Sequence, residues 1–367
     1  MSKIAIIAPA KDLYSETFIK AQKDKLDGDV FFYFGGKLPK HFEYKGEVTS
    51  INSTVFDRIS NKISASNFSL QEKKIISSLK QNQVELVLAQ YGPTATKVAR
   101  LCEYLKIPLI THFHGYDASM KSVIASNDFY KTVFQVSHYV IAVSNDMKQN
   151  LIEMGCPEHK VIYNPCAPDK SFYNIDPLFT KQQFLAVGRF TDKKAPYYSI
   201  LAFKSVVTQY PKATLLLAGS GPLLETCKNL VKAFSLENNV RFLGVISPEE
   251  FKTLLAESLA FVQHSITAEN GDQEGTPVSV LEASIAGLPV VSTRHAGIKD
   301  VIIHNETGLL CEEHDIQTMT THMIELIVNK SFARELGRSG KQRIHQNFSM
   351  EKHISVLNNS IDKAIRS

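Results

Sequence analysis

The strongest constraint on this chain is a rhythm. Short runs of apolar residues alternate with longer stretches of helical periodicity almost from end to end. Lys3–Ala8, Val30–Phe34, Val84–Ala89, Pro108–His114 and Tyr139–Ser144 read as strands, with Glu16–Leu26 and Thr94–Leu105 as helices between them. The strand runs are nearly continuous in apolar character, which marks strands buried on both faces. That pattern predicts an α/β fold, a parallel sheet with helices on both sides.

The rhythm breaks once, at Val161-Ile-Tyr-Asn-Pro-Cys-Ala-Pro-Asp169, with Pro177 soon after. It restarts at Phe184-Leu-Ala-Val-Gly188 and continues through Ala213–Ala218, Val240–Leu243, Leu259–Gln263 and Pro289–Ser292. A chain of 367 residues suits two domains, each able to bury its own core. The expected division is residues 1–170 and 181–345, with a helical tail over about 348–367.

A net charge of +4 is too mild to argue for nucleic acid, though it tolerates anionic ligands. The five cysteines form no CxxC pair and are odd in number, which predicts reduced thiols. No apolar run approaches a membrane span. Ile4–Ala10 is short and is followed at once by Lys11 and Asp12, so it is expected to be a buried strand rather than a signal peptide. The chain is expected in the cytoplasm.

Glu274-Gly-Thr-Pro-Val-Ser-Val-Leu-Glu282 carries the sharpest chemical signal. Thr276 is expected to N-cap a helix, Pro277 to sit in its first turn, and Gly287 to close it about three turns later. Glu274 then lies in the loop before the helix and Glu282 inside it. Between them, Gly275, Thr276, Pro277, Val278 and Ser279 surround a helix N-terminus, and the backbone N–H groups of all but Pro277 suit a phosphate.

This segment resembles the Glu-x7-Glu motif of the retaining family-4 glycosyltransferases. The flanks agree. Ser265-Ile-Thr-Ala-Glu-Asn-Gly-Asp-Gln273 and Gly287-Leu-Pro-Val-Val-Ser-Thr-Arg-His-Ala-Gly297 are similar to the exopolysaccharide and colanic-acid branch of that family. The resemblance spans nearly the whole chain. It implies the GT-B fold, two Rossmann-like domains facing a cleft, with a terminal helix returning to the first domain.

The resemblance also implies roles. Glu282 would bind ribose hydroxyls and Glu274 the hydroxyls of the donor sugar. Arg189 and Lys194, in Gly188-Arg-Phe-Thr-Asp-Lys-Lys-Ala195, would clamp the diphosphate without a metal. Lys193 reads as an ordinary solvated residue. The family has Gly where Ala195 stands. Gly219 and Gly221, in Ala218-Gly-Ser-Gly-Pro222, serve backbone geometry, or Gly219 touches the donor. A third glycine is missing, which argues against a nicotinamide dehydrogenase.

In the first half, Thr111-His-Phe-His-Gly-Tyr-Asp117 ends a strand, where ligands bind in open α/β sheets. The match implies that His114 faces the transferred sugar. Asp117 would orient it or bind acceptor, and His112 shares its face. The pair lacks a third ligand for a metal. Ser15 is a natural N-cap, and Glu16 or Thr17 is a candidate acceptor contact. Residues 58–80 form a basic amphipathic stretch that either docks on an anionic membrane or packs on its own sheet.

The resemblance thus implies a retaining transferase that moves a sugar from a UDP- or GDP-linked donor to a glycan or lipid-linked acceptor. No cofactor and no metal is expected. The alternative is a module of the same fold that binds nucleotide sugar or glycan without turnover.

Overall fold

The computed structural model describes residues 1–11, 17–48 and 67–367. The chain divides into two compact units, residues 1–164 with 353–367, and residues 165–352.

The first unit is built on an eight-stranded sheet: β1 (Lys3–Ile7), β2 (Asp29–Phe34), β3 (His41–Phe42), β4 (Gly46–Glu47), β5 (Leu86–Gln90), β6 (Leu109–His112), β7 (Ser137–Ala142) and β8 (Val161–Tyr163). Their order is β4-β3-β2-β1-β5-β6-β7-β8. The expected strands pair in parallel, but β3 and β4 add an antiparallel edge and β8 turns the start of the proline-rich break into a strand. None of these short pieces has enough residues to show periodicity. Ile4–Ile7 and Leu86–Ala89 are wholly buried, as expected of central strands covered on both faces.

The second unit holds six parallel strands: β9 (Gln183–Val187), β10 (Thr214–Ala218), β11 (Val240–Gly244), β12 (Ala260–Gln263), β13 (Val290–Thr293) and β14 (Gly308–Cys311). Their order is β11-β10-β9-β12-β13-β14. In each sheet the order reverses beside the first strand, β1 or β9. The crevice at such a reversal is where open α/β sheets hold ligands.

The C-terminal helix, Met350–Arg366, joins the first unit from His353 onward. His353 lends its carbonyl to Asn164 Nδ2 at 3.1 Å, and Asn358 bonds both the backbone and the side chain of Asp27. All five cysteines are free and buried. Among the described residues no helix is long and apolar enough to cross a membrane, and no cluster suits a metal ion.

The described part of the basic stretch is the helix Leu70–Gln81, opened by a Ser69/Glu72 capping box. Ile75, Ile76 and Leu79 are buried, and Glu72 pairs with Arg100. That apolar face is already used by the core, so those three residues are not available to lipid. Residues 58–66, with Arg58 and Lys62, lie outside the described residues, as do Ser15 and Glu16.

Candidate functional site

The loops after β9, β12 and β13 carry the charged residues that gather around Glu274. After β9 the chain crosses Gly188, and the Lys194 side chain lies across it. A Cβ at Gly188 would stand 2.9 Å from Lys194 Cδ. Gly219 must approach just as closely, since a Cβ there would meet the Gly188 carbonyl oxygen at 1.9 Å, and its φ is +130°. Ala195 takes the left-handed φ of +34° before the helix Pro196–Gln209, which explains why glycine suits this position.

Lys194 Nζ lies 3.0 Å from Glu274 Oε1, and both residues are largely buried. Burial opposes the charge on Glu274, but Lys194 and then Lys193 overcome it and hold the carboxyl at about 2. Lys193 is not solvated as expected. It is only 6% exposed, and its ammonium binds Asp272 Oδ1 at 2.9 Å and the Gln273 carbonyl at 3.0 Å. A buried ammonium is stable only when paired, and the loop before Glu274 supplies the partners. Arg189 is exposed and has no ion pair among the described residues.

The helix after Glu274 begins later than the motif predicts. It spans Val278–Ile285, with extended Pro277 at the N-cap and no side-chain cap. Thr276 therefore does not cap it, and the helix is about two turns long. Pro277 has no N–H to satisfy, and although its φ of −69° is helical its ψ of 113° is extended, so the helical path begins only after it. Gly287 does close the helix, at φ +86°. The uncapped N-terminus leaves the first N–H groups, at Val278 and Ser279, for an anion. Gly275 is buried beside it.

Glu282, on the next turns, is half-buried. Burial and then nearby Asp169 push its carboxyl up to about 8. The two carboxylates of the motif are thus tuned in opposite directions. Gln263, at the end of β12, was not singled out by the sequence. Its Oε1 lies 3.5 Å from both Lys194 Nζ and Ser279 Oγ. Only its place at a strand end could have marked it.

In the first unit, Gln90 and His112 are register partners on β5 and β6. His114 stacks on Phe18 at 4.5 Å between ring centroids, and its Nε2 lies 2.8 Å from Gln90 Oε1. The His112 and His114 rings are 4.2 Å apart, on one face as predicted. Burial, then the nearby His353, lower the His114 pKa to about 3, so the ring is neutral.

Asp117 departs from the acceptor role. It is fully buried, and its carboxylate accepts the backbone N–H groups of Gly92, His114 and Gly115 at 2.9, 3.0 and 3.0 Å. Those bonds orient the His114 backbone and leave no face for a ligand. Thr17 is exposed.

Comparison with known proteins fits this geometry. The family model "Glycosyl transferases group 1" matches residues 175–343, and "Glycosyltransferase Family 4" matches residues 29–170. The chain belongs to the family-4 glycosyltransferases. The amylovoran biosynthesis glycosyltransferase AmsK of Erwinia amylovora is 30% identical over 72% of this chain and 65% of its own length. The putative colanic acid biosynthesis glycosyltransferase WcaL of Salmonella typhimurium is 26% identical over 73% of this chain and 68% of its own. The chain thus spans about two thirds of the length of the curated relatives it matches. Among solved structures, Anabaena HepE in complex with UDP superposes with a TM-score of 0.79 at 16% identity, covering 99% of this chain and 100% of that one. That likeness shows the GT-B fold.

Proposed function

We propose that this chain is a retaining glycosyltransferase of surface-polysaccharide biosynthesis. It moves a sugar from a nucleotide-linked donor to a glycan or lipid-linked acceptor. The observation that carries this reading is the ionised, buried Glu274 held at 3.0 Å by Lys194 beside an uncapped helix N-terminus. A fixed carboxylate suits sugar hydroxyls, and the adjacent ammonium and N–H groups suit a diphosphate. Anabaena HepE has been solved with UDP and with UDP-glucose, which supports a UDP donor.

In this reading Lys194, Arg189 and the N–H groups at Val278 and Ser279 hold the diphosphate, and Gly219 keeps the chain close beneath it. Glu282 accepts ribose hydroxyls. The anomeric carbon–oxygen bond breaks with its electrons passing to the departing phosphate oxygen. The acceptor oxygen attacks from the same face, and its proton passes to that phosphate. Fixed cations stabilise the charge that develops on the leaving group, with no metal. Glu274 is not a nucleophile here, and neutral His114 accepts a sugar hydroxyl. The enzyme would work at the cytoplasmic face of a membrane, where an anionic surface attracts the basic residues around Lys80. Salt-sensitive co-sedimentation with anionic vesicles tests that contact.

The deciding experiment is incubation with a panel of UDP- and GDP-sugars and candidate acceptors, followed by mass spectrometry. NMR of the product then reports the anomeric configuration. Transfer with retention supports the reading. Binding without nucleotide release would favour the non-catalytic module, and inverted product would overturn the stereochemistry.

A further inference from the structure

The position of Glu274 depends on a second histidine, in the turn after β13. Glu274 donates its backbone N–H to Nε2 of His295 at 3.1 Å. A peptide N–H only donates, so Nε2 must offer a lone pair and the ring must carry its proton on Nδ1. Nδ1 lies 2.6 Å from Glu313 Oε1. Glu313 also accepts the Thr267 N–H at 2.8 Å through its other oxygen. His295 is 1% exposed, and each ring nitrogen has one partner and one role.

Glu274 sits at the end of the loop that follows β12, and a loop needs fixed anchors to hold a carboxylate in one place. Lys193 ties Asp272 and Gln273, and its own carbonyl accepts the Ile266 N–H at 2.8 Å. Lys194 reaches the Glu274 carboxylate. Lys193 holds the carbonyl side of the Gln273–Glu274 peptide, and His295 alone among these residues accepts its N–H, next to the carbon from which the Glu274 side chain springs. Glu313 in turn joins His295 to Thr267, near the start of the same loop. The loop is therefore closed at both ends through one imidazole and one carboxylate.

We propose that His295 and Glu313 are positioning residues for Glu274: the imidazole clamps the Glu274 peptide N–H, and Glu313 fixes the tautomer that lets it do so. The pair does not touch substrate. It sets where the Glu274 carboxylate lies, which is the feature that sugar recognition would use. This rests on the role proposed for Glu274.

Two measurements test it. The first is long-range proton–nitrogen NMR of the protein labelled with 15N-histidine, with His295 assigned by its loss in His295→Gln. The structure requires the Nδ1–H tautomer, whereas free neutral histidine favours Nε2–H. An Nε2–H or doubly protonated His295 at neutral pH would overturn the clamp whatever the enzyme's activity.

The second is kinetics on folded variants. His295→Leu has neither acceptor nor donor. It is expected to lower kcat about 10–100-fold, the usual scale for a hydrogen-bonded support of a site residue, with UDP affinity changed less than about threefold. Glu313→Leu should do the same. His295→Gln keeps one acceptor and one donor on its amide and should recover most of the loss. Wild-type turnover in His295→Leu while Glu274→Gln is inactive would sink the inference and spare the functional reading. Equal loss in His295→Gln and His295→Leu, with both melting as wild type, would also sink it. Wild-type turnover in Glu274→Gln would instead overturn the role of Glu274, and the NMR result would still decide the clamp.

Discussion

Lys194 and Glu274 form a buried ion pair, 3.0 Å from nitrogen to oxygen, across 80 residues of sequence. The pair ties the loop after β9 to the loop after β12, and so it bears on stability as well as on the proposed chemistry.

Glu274→Gln is expected to reveal both. The folded-state pKa of Glu274 is lowered to about 2 from its ordinary 4.5. Its stabilisation is therefore fully present above 4.5 and lost as pH falls toward 2. The variant should be less stable by about 3 kcal/mol at pH 7, because removing one partner leaves a buried charge unpaired. The difference should shrink at pH 3, as denaturant titration of both proteins would show. Turnover should fall by about 10²–10³ if the carboxylate serves the transition state. Equal stability at pH 7 would contradict the pairing.

Glu282 should behave oppositely. Its pKa is raised to about 8, so in the folded chain it binds its proton more tightly than in the unfolded chain. Ionising it costs stability as pH rises from 4.5 toward 8. Glu282→Gln should then melt higher than wild type at pH 9 and about equally at pH 4.5. The same variant should bind nucleotide more weakly at pH 9, where Glu282 is ionised, by roughly tenfold for one lost hydrogen bond to a charged acceptor, and by less at neutral pH. A thermal scan against pH, with and without UDP, checks both halves.

For His114 the expectation is the absence of a titration. With a pKa near 3 it stays neutral through the working range. His114→Ala should lower kcat by roughly 10²-fold, within the span of a positioned hydrogen-bonding group. The pH profile between 5 and 9 should keep its wild-type shape. An acid limb present in the wild type and lost in the variant would show that the ring protonates after all.

Arg189 separates binding from folding. It is exposed and unpaired among the described residues, so Arg189→Ala should leave the melting temperature unchanged. The donor KM should rise about tenfold if the guanidinium holds phosphate. An unchanged KM would remove it from the site.

Gly219→Ala is the structural counterpart. The added Cβ would fall 1.9 Å from the Gly188 carbonyl oxygen, in a left-handed backbone that alanine resists. The expected cost is about 2–4 kcal/mol, because the obstacle is backbone and cannot swing aside. Urea unfolding measures it.

The sequence by itself determined the layered α/β architecture, because burial on both faces writes a near-continuous apolar run into each central strand, as at Ile4–Ile7 and Leu86–Ala89. It also determined that a carboxylate pair flanks a helix start and that His112 and His114 share a face, since those are matters of local spacing. Short edges such as β3, β4 and β8 were invisible, having too few residues for a period.

The tertiary structure decided the rest. Lys193 and Lys194 are adjacent and chemically alike, yet one is locked to Asp272 and the other to Glu274. Asp117 turned inward onto three peptide N–H groups instead of outward to a ligand. His295 came to hold the peptide of Glu274 from 21 residues away. Periodicity reports which side of an element is buried. It does not report which partner waits there, because that depends on how strand ends distant in sequence converge once the sheet has formed.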